Sequence, residues 1–390
     1  MKGGLIVILW YSGFLFIAAT GLTGLQELSS KSILMYIAFL FCFLLGMVLS
    51  GVSLYEPKKE MHQQILKRKH NLVIVSIFYL FIIYCFLVAL NIYFFNKVDL
   101  SSYRQAFFDG SRDNVKFFFG SFGFYFYYFL SLIIYALVPF VVIMNNKKVL
   151  FLCFLSLLLY DIIFLSRTGV YYYILSYIVA YIIQKKQLKK IIIFIVIALL
   201  FSFVISYARD MQSNIINSIF SSIINYHVAP FILLDNNIIS KNVITYHGVG
   251  LASLGIYNII FFPIDVTIMQ TINDFRTQLN MFYDLGLKEY LPYNAYYTSL
   301  GGVYIDSGFL GCMIVTFFFG FIIVAIEKKA YKSRKYLAST VFFTTLCLES
   351  IFAPITLNIF SFTIIIYLII ALVLKYENCN GSPVFKKYGS

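Results

Sequence analysis

The sequence predicts an all-α polytopic integral membrane protein. Three observations carry that reading. Apolar residues fill 61% of the 390 positions and charged residues only 12%, with a mean hydropathy of +0.85. A soluble domain is nearer half apolar and a quarter charged. The apolar residues fall in continuous runs of roughly twenty, the length a helix needs to cross the hydrocarbon layer. The basic residues gather in the links between alternate runs.

Ten runs read as spans: Leu5–Thr20, Ile33–Tyr55, Leu72–Phe94, Phe117–Met144, Leu150–Leu165, Val170–Ile183, Ile191–Tyr207, Val303–Ile326, Leu337–Phe352 and Ile359–Leu374. The expected count is therefore about 10, within 10–12, in one multi-pass domain over residues 1–390. The runs lack the period-two alternation of a transmembrane β-barrel. The first follows Met1 and Lys2 directly and exceeds the h-region of about 7–15 residues in a signal peptide, so it reads as a retained span. The 32 Tyr suit the membrane interface, where an amphipathic ring has both an apolar and a wet side.

Orientation follows from charge. The links Glu56–His70, Asn145–Lys148, Gln184–Lys190 and Glu327–Tyr336 fall on one side if the spans alternate, together with Lys2 and the tail. That side holds 20 of the 30 basic residues and four of the 17 acids, so it reads as cytoplasmic, with both termini inside. The net charge of +13 is thus a topology signal, scattered over short loops. It does not form the concentrated stripe that binds nucleic acid. All six cysteines lie outside the external loops and form no CxxC, so they read as small apolar fillers.

The long polar region, 208–302, is the expected periplasmic loop and holds most of the reactive groups. It includes His227, His247, Arg276, Asp235, Asp274, Asp284 and Glu289. The segments Ile215–Leu234 and Ile256–Val266 are apolar within it and read as re-entrant, interfacial or spanning. A second, shorter external link contains Arg104, Asp109, Arg112 and Asp113, and a third is the tight turn Ser166–Gly169.

Candidate chemistry concentrates at the membrane edge. Arg167, in the SRTG turn, either snorkels, pairs with Asp161 or clamps a phosphate in bidentate fashion. Arg209 follows Tyr207 by two residues at the end of a span, pairing an aromatic face for a sugar with a cation for a phosphate. Arg276 either pairs with Asp274 or Asp284 or makes another anion contact. His247, between Tyr246 and Gly248, suits acid–base work at neutral pH; His227 carries the same chemistry with less support around it. Neither histidine has metal-ligand spacing, so no metal is expected. Asp161 and Glu349 are the two acids within apolar runs, where each reads as proton-coupling or as a hydrogen-bonded packing residue. Asn294–Gly311, NAYYTSLGGVYIDSGFLG, puts polar side chains and glycines at the start of a span. Asp306 there is either an N-terminal cap for that span or a reactive carboxylate.

At these residues the chain resembles the oligosaccharide repeat-unit polymerases, the O-antigen polymerases of the Wzy type. The SRTG turn, the long external segment and the pattern Asn294, Gly301, Tyr304, Asp306, Gly308 and Gly311 carry the resemblance. The family's Arg-x10-Gly motif is not carried over, because Gly286 falls one residue short after Arg276. The resemblance implies a fold similar to the C-type membrane glycosyltransferases, in a bacterial inner membrane, with the active site facing the periplasm. It implies transfer of a growing glycan from undecaprenyl pyrophosphate to a sugar hydroxyl of the next lipid-linked unit, without cofactor. The partners would be undecaprenyl-pyrophosphate-linked oligosaccharides, the bilayer, and a chain-length regulator and flippase of the same pathway. On this reading Arg167, Arg209 and Arg276 bind pyrophosphate, with Arg209 also catalytic in easing its departure. His247 or Asp306 supplies the base, and Tyr207, Asn294, Tyr296 and Tyr304 line the sugar site. Two rivals share the plan: an O-antigen ligase, and a flippase or transporter without enzymatic activity, against which the absence of an internal repeat speaks.

Overall fold

The computed structural model describes residues 2–52, 64–98, 112–144, 146–164, 166–184, 224–241, 250–258, 267, 270, 274, 281–287, 290–293, 297–330, 333–350 and 361–378. It is mostly helical. The helices are α1 (Lys2–Ala19), α2 (Ser30–Val52), α3 (Arg68–Ala89), α4 (Ser121–Met144), α5 (Lys147–Phe164), α6 (Thr168–Ile183), α7 (Tyr226–Leu234), α8 (Leu251–Leu254), α9 (Ser299–Ala330), α10 (Arg334–Glu349) and α11 (Phe362–Val373). Among the described residues, four short strands form two antiparallel pairs: β1 (Gln64–Leu66) with β4 (Tyr376–Asn378), and β2 (Tyr283–Asp284) with β3 (Pro292–Tyr293).

Among the described residues, five helices are long and apolar enough to cross a membrane. They are Lys2–Ala19, Ser30–Gly51, Arg68–Phe95, Ser121–Met144 and Ser299–Ala330. The third includes a π-helical turn, Leu90–Phe95, that continues α3. Helices α6 and α11 are apolar but shorter. The expected span Ile191–Tyr207 lies outside the described residues.

The chain divides into two compact units. The first comprises residues 1–55, 181–325 and 342–362. Its core joins α1, α2, α7 and the start of α9 through Leu15, Tyr36, Phe39, Phe231, Ile232 and Tyr304. Helix α7 is buried from His227 to Leu234. It runs on directly into a π-helical turn, Asp235–Ile239, and packs in the unit's core. Helices α2 and α9 meet backbone to backbone. A Cβ on Gly46 would lie 2.1 Å from the Phe317 carbonyl oxygen, and one on Gly320 the same distance from that of Phe43. Only glycine permits that approach, and such close contact is a main source of helix association in lipid, where burial of apolar surface supplies little.

In the second unit, residues 56–180, 326–341 and 363–390, α3 packs on α4 and α5. The Tyr93 hydroxyl donates to the Ile162 carbonyl at 3.1 Å. Both residues lie toward the C-terminal ends of their segments, so α3 and α5 run parallel. The filling is aromatic. Tyr127 stacks on Tyr160 at 5.7 Å and 4°, and Phe81, Phe118 and Phe164 surround Tyr127. Tyr127, Tyr172 and Tyr173 are fully buried. Much of the tyrosine that composition alone assigns to the interface is core. The cysteines described (Cys42, Cys85, Cys153, Cys312 and Cys347) are unbridged, and all but Cys347 are buried.

Candidate functional site

Four of the described aspartates tie the fold together by receiving backbone N–H groups, Asp161, Asp235 and Asp306 from another element and Asp284 from its own loop. A helix leaves its first N–H groups without partners, and in an apolar setting an unsatisfied one costs several kcal/mol. Carboxylates supplied from elsewhere in the chain remove that cost.

Asp161, fully buried near the end of α5, accepts the Gly169 amide at 3.0 Å and the Val170 amide at 2.7 Å. The Ser166 hydroxyl also donates to it. This buried acid is therefore the cap of α6, and it fixes the turn that carries Arg167. Arg167 is half-buried at the bend, and its carbonyl receives the Tyr171 amide at 3.0 Å. Gly169 has little room for a side chain: a Cβ there would sit 3.1 Å from the Leu157 carbonyl oxygen and 3.3 Å from the Asp161 carboxylate.

In the other unit, Asp235 is equally buried. It takes the Ser29 amide at 2.6 Å and the Ser29 and Ser240 hydroxyls, both at 2.8 Å, at the threshold of α2. Asp284 receives the amides of Gly286 and Leu291, each at 3.0 Å, and so closes the β2–β3 loop. That loop is tied to the α1–α2 link, where Gln26 donates its amide to the Leu285 carbonyl at 2.8 Å.

Asp306 receives the amides of Ala252 at 3.1 Å and Ser253 at 2.6 Å. The sequence offered it as the N-terminal cap of its own span. The structure corrects that: α9 begins at Ser299, seven residues earlier, and Asp306 caps α8 instead. Gly302, one turn before, lets the same segment press closer, since a Cβ there would lie 2.7 Å from the Ala252 carbonyl oxygen.

Two residues beyond Asp306, α9 is broken. Gly308 has φ 63° and ψ −159°, a conformation essentially confined to glycine. The halves Ser299–Ser307 and Phe309–Ala330 are separate helical pieces that meet across a kink. The motif Asn294–Gly311 is thus the site of a discontinuity in a helix of membrane-spanning length. At the start of α9 the Ser299 amide donates to the Ser350 carbonyl at 2.9 Å. The Ser350 hydroxyl pairs with that of Tyr11, and Trp10 Nε1 donates to the Leu348 carbonyl at 3.2 Å. Glu349, between these contacts, closes α10.

Among the expected sugar-binding aromatics, Tyr304 is 5% exposed and belongs to the hydrophobic core, so its ring packs against protein. Tyr297, within the Asn294–Gly311 motif, and Tyr293, just before it, carry the polar contacts nearby. Their hydroxyls accept from Asn237 Nδ2 and Asn225 Nδ2, each at 2.9 Å. Burial raises both phenols above their ordinary range. His227, expected as a loop histidine, is buried between aromatic rings. It stacks on Phe14 at 4.5 Å and meets Trp10 edge-on at 5.5 Å. The reason is α7, which draws the residue into the core.

Tyr207, Arg209, His247, Arg276, Asn294 and Tyr296 lie outside the described residues. Of the expected site, Tyr304 and Asp306 share one helix, and Arg167 belongs to the other unit. Among the described residues no three His, Cys, Asp or Glu side chains gather as a metal cluster. Comparison of the chain with protein-family models, curated proteins and solved structures gives no match.

Proposed function

We propose that this protein polymerises lipid-linked oligosaccharide repeat units. It moves the growing glycan from undecaprenyl pyrophosphate to a sugar hydroxyl of the next lipid-linked unit. In this reading the chain crosses the bacterial inner membrane about ten times, with both termini inside and 208–302 in the periplasm.

The supporting observation is the coincidence of the Asn294–Gly311 motif with the break at Gly308. Discontinuous helices in membrane proteins occur where backbone lines a cavity or meets a ligand, because lipid tolerates no unpaired amide. Such a break beside the polar residues of the motif suits an anionic substrate entering from the membrane edge.

The chemistry follows from the charges. The acceptor hydroxyl oxygen attacks the anomeric carbon, and the bond from that carbon to the pyrophosphate oxygen breaks. The pyrophosphate leaves with the electron pair, and Arg167, Arg209 and Arg276 offset its charge. His247 takes the hydroxyl proton. Asp306, with a backbone amide on each carboxylate oxygen, positions α8 rather than the proton.

Purified protein reconstituted with lipid-linked repeat units is expected to form dimers and longer chains. Arg167→Ala and Arg209→Ala are each expected to stop elongation at unchanged protein level. Full-length polymer from both variants would refute the assignment. A null strain separates the rivals: loss of a polymerase leaves single-unit caps on the outer surface, and loss of a ligase leaves none.

A further inference from the structure

The second unit contains a junction that the proposed reaction does not use. Strands β1 and β4 pair with Leu66 opposite Tyr376, and just past the pair the Lys67 amide donates to the Lys375 carbonyl at 3.2 Å. This ties the start of α3 to the chain leaving α11, more than 300 residues away in sequence. Cations converge there. Lys67 is the residue before α3, and Arg68, Lys69 and His70 form its first turn, which contains no acid. The charges of Lys69, Lys67 and Lys375 all act on the His70 ring. Arg334, the first residue of α10, acts on Tyr376. Arg68, Lys69 and Lys375 are exposed.

Charge repulsion of this kind sits badly at a helix start, where the peptide dipoles already present a positive end. A second, independent feature lies at the same place. The Tyr376 hydroxyl, His70 Nε2 and Asn71 Oδ1 are buried atoms with no hydrogen-bond partner. Buried polar groups are almost always satisfied, so three orphans at one junction mark a place where a ligand or water completes the structure.

The surroundings identify the ligand class. Directly beyond the cations on α3, Leu72 and Val73 are exposed, and directly before Lys375 on α11, Leu372 and Val373 are exposed. Each helix thus turns an apolar surface outward immediately next to the shared positive charge. A free phosphate would use only the cations. A phospholipid would place its headgroup among them and its acyl chains along Leu72, Val73, Leu372 and Val373.

We propose that the junction of α3, α10, α11 and the β1–β4 pair is a binding site for an anionic phospholipid. Lys67, Arg68, Lys375 and Arg334 hold the headgroup phosphate, and Tyr376 and His70 donate hydrogen bonds to it. The assignment concerns the second unit alone and stands whether or not the chain is a polymerase.

Native mass spectrometry of the full chain, titrated with phosphatidylglycerol, phosphatidylcholine or inorganic phosphate, tests it. Phosphatidylglycerol is expected to be retained, and the other two to be released at low activation. Lys375→Gln and Arg68→Gln, both at exposed positions, are each expected to weaken retention about five-fold, the factor expected for one cation at an anionic headgroup. Tyr376→Phe tests the hydrogen-bonding part and is expected to weaken it further in combination. Equal retention of phosphatidylcholine overturns the proposal, as does equal retention of inorganic phosphate or undiminished binding by both charge variants.

Discussion

The Asp306 carboxylate accepts the Ser253 amide at 2.6 Å across 53 residues of chain. One side chain of the motif thereby secures α8, and with it the segment that leads into Tyr257, whose hydroxyl donates to the Ser361 carbonyl. A residue that reads in sequence as a reactive carboxylate is engaged in holding backbone.

Asp306→Ala is therefore expected to lower stability by about 2 kcal/mol, the range for hydrogen bonds to a charged group, because two amides lose their acceptor. Thermal unfolding in detergent measures it. A variant as stable as the parent but inactive in glycan transfer would instead mark Asp306 as the base.

At Gly308 any side chain meets the backbone conformation itself. Gly308→Ala is expected to cost about 1–3 kcal/mol or to straighten α9, closing the break. Accessibility of a single cysteine placed at the exposed Ser307 reports which occurs. Unchanged accessibility together with unchanged stability would show that the break is not needed.

Gly46→Val and Gly320→Val test the α2–α9 contact. Either side chain would lie 2.1 Å from a carbonyl oxygen, and overpacking of this kind typically costs about 1–3 kcal/mol. Gly13→Ala on α1 is the control, since nothing lies within 4 Å of its Cβ position. Equal melting temperatures for Gly320→Val and Gly13→Ala would mean that α2 and α9 do not touch there.

Tyr376 supplies a pH dependence. Burial pushes its phenol up to about 12, with Arg334 opposing. The folded state therefore holds the proton more tightly than the unfolded chain, whose tyrosines titrate near 10. Its contribution to stability is complete below about pH 10 and is lost as pH rises toward about 12. Tyr376→Phe is expected to flatten the decline of stability across that window; an identical decline in parent and variant excludes the effect.

The apolar runs alone determined the membrane character, because a helix in lipid must be both long and apolar, and both properties are local. Most run boundaries come within a few residues of the helices for the same reason: Ile33–Tyr55 becomes Ser30–Val52, and Phe117–Met144 becomes Ser121–Met144. The glycine pattern around Gly308 was legible as unusual, and the turn carrying Arg167 as tight. What the acids do was not legible. Asp161, Asp235 and Asp306 look in sequence like intramembrane or external charges open to chemistry, yet each caps a helix whose start lies seven or more residues away in the chain. The burial of His227 and Tyr304, the close approach of α2 and α9 at Gly46 and Gly320, and the gathering of Lys67, Lys375 and Arg334 were likewise decided by tertiary structure. Hydrophobic periodicity records which surfaces a segment must hide. It carries no information on which distant segment supplies the missing acceptor, the missing space or the neighbouring charge.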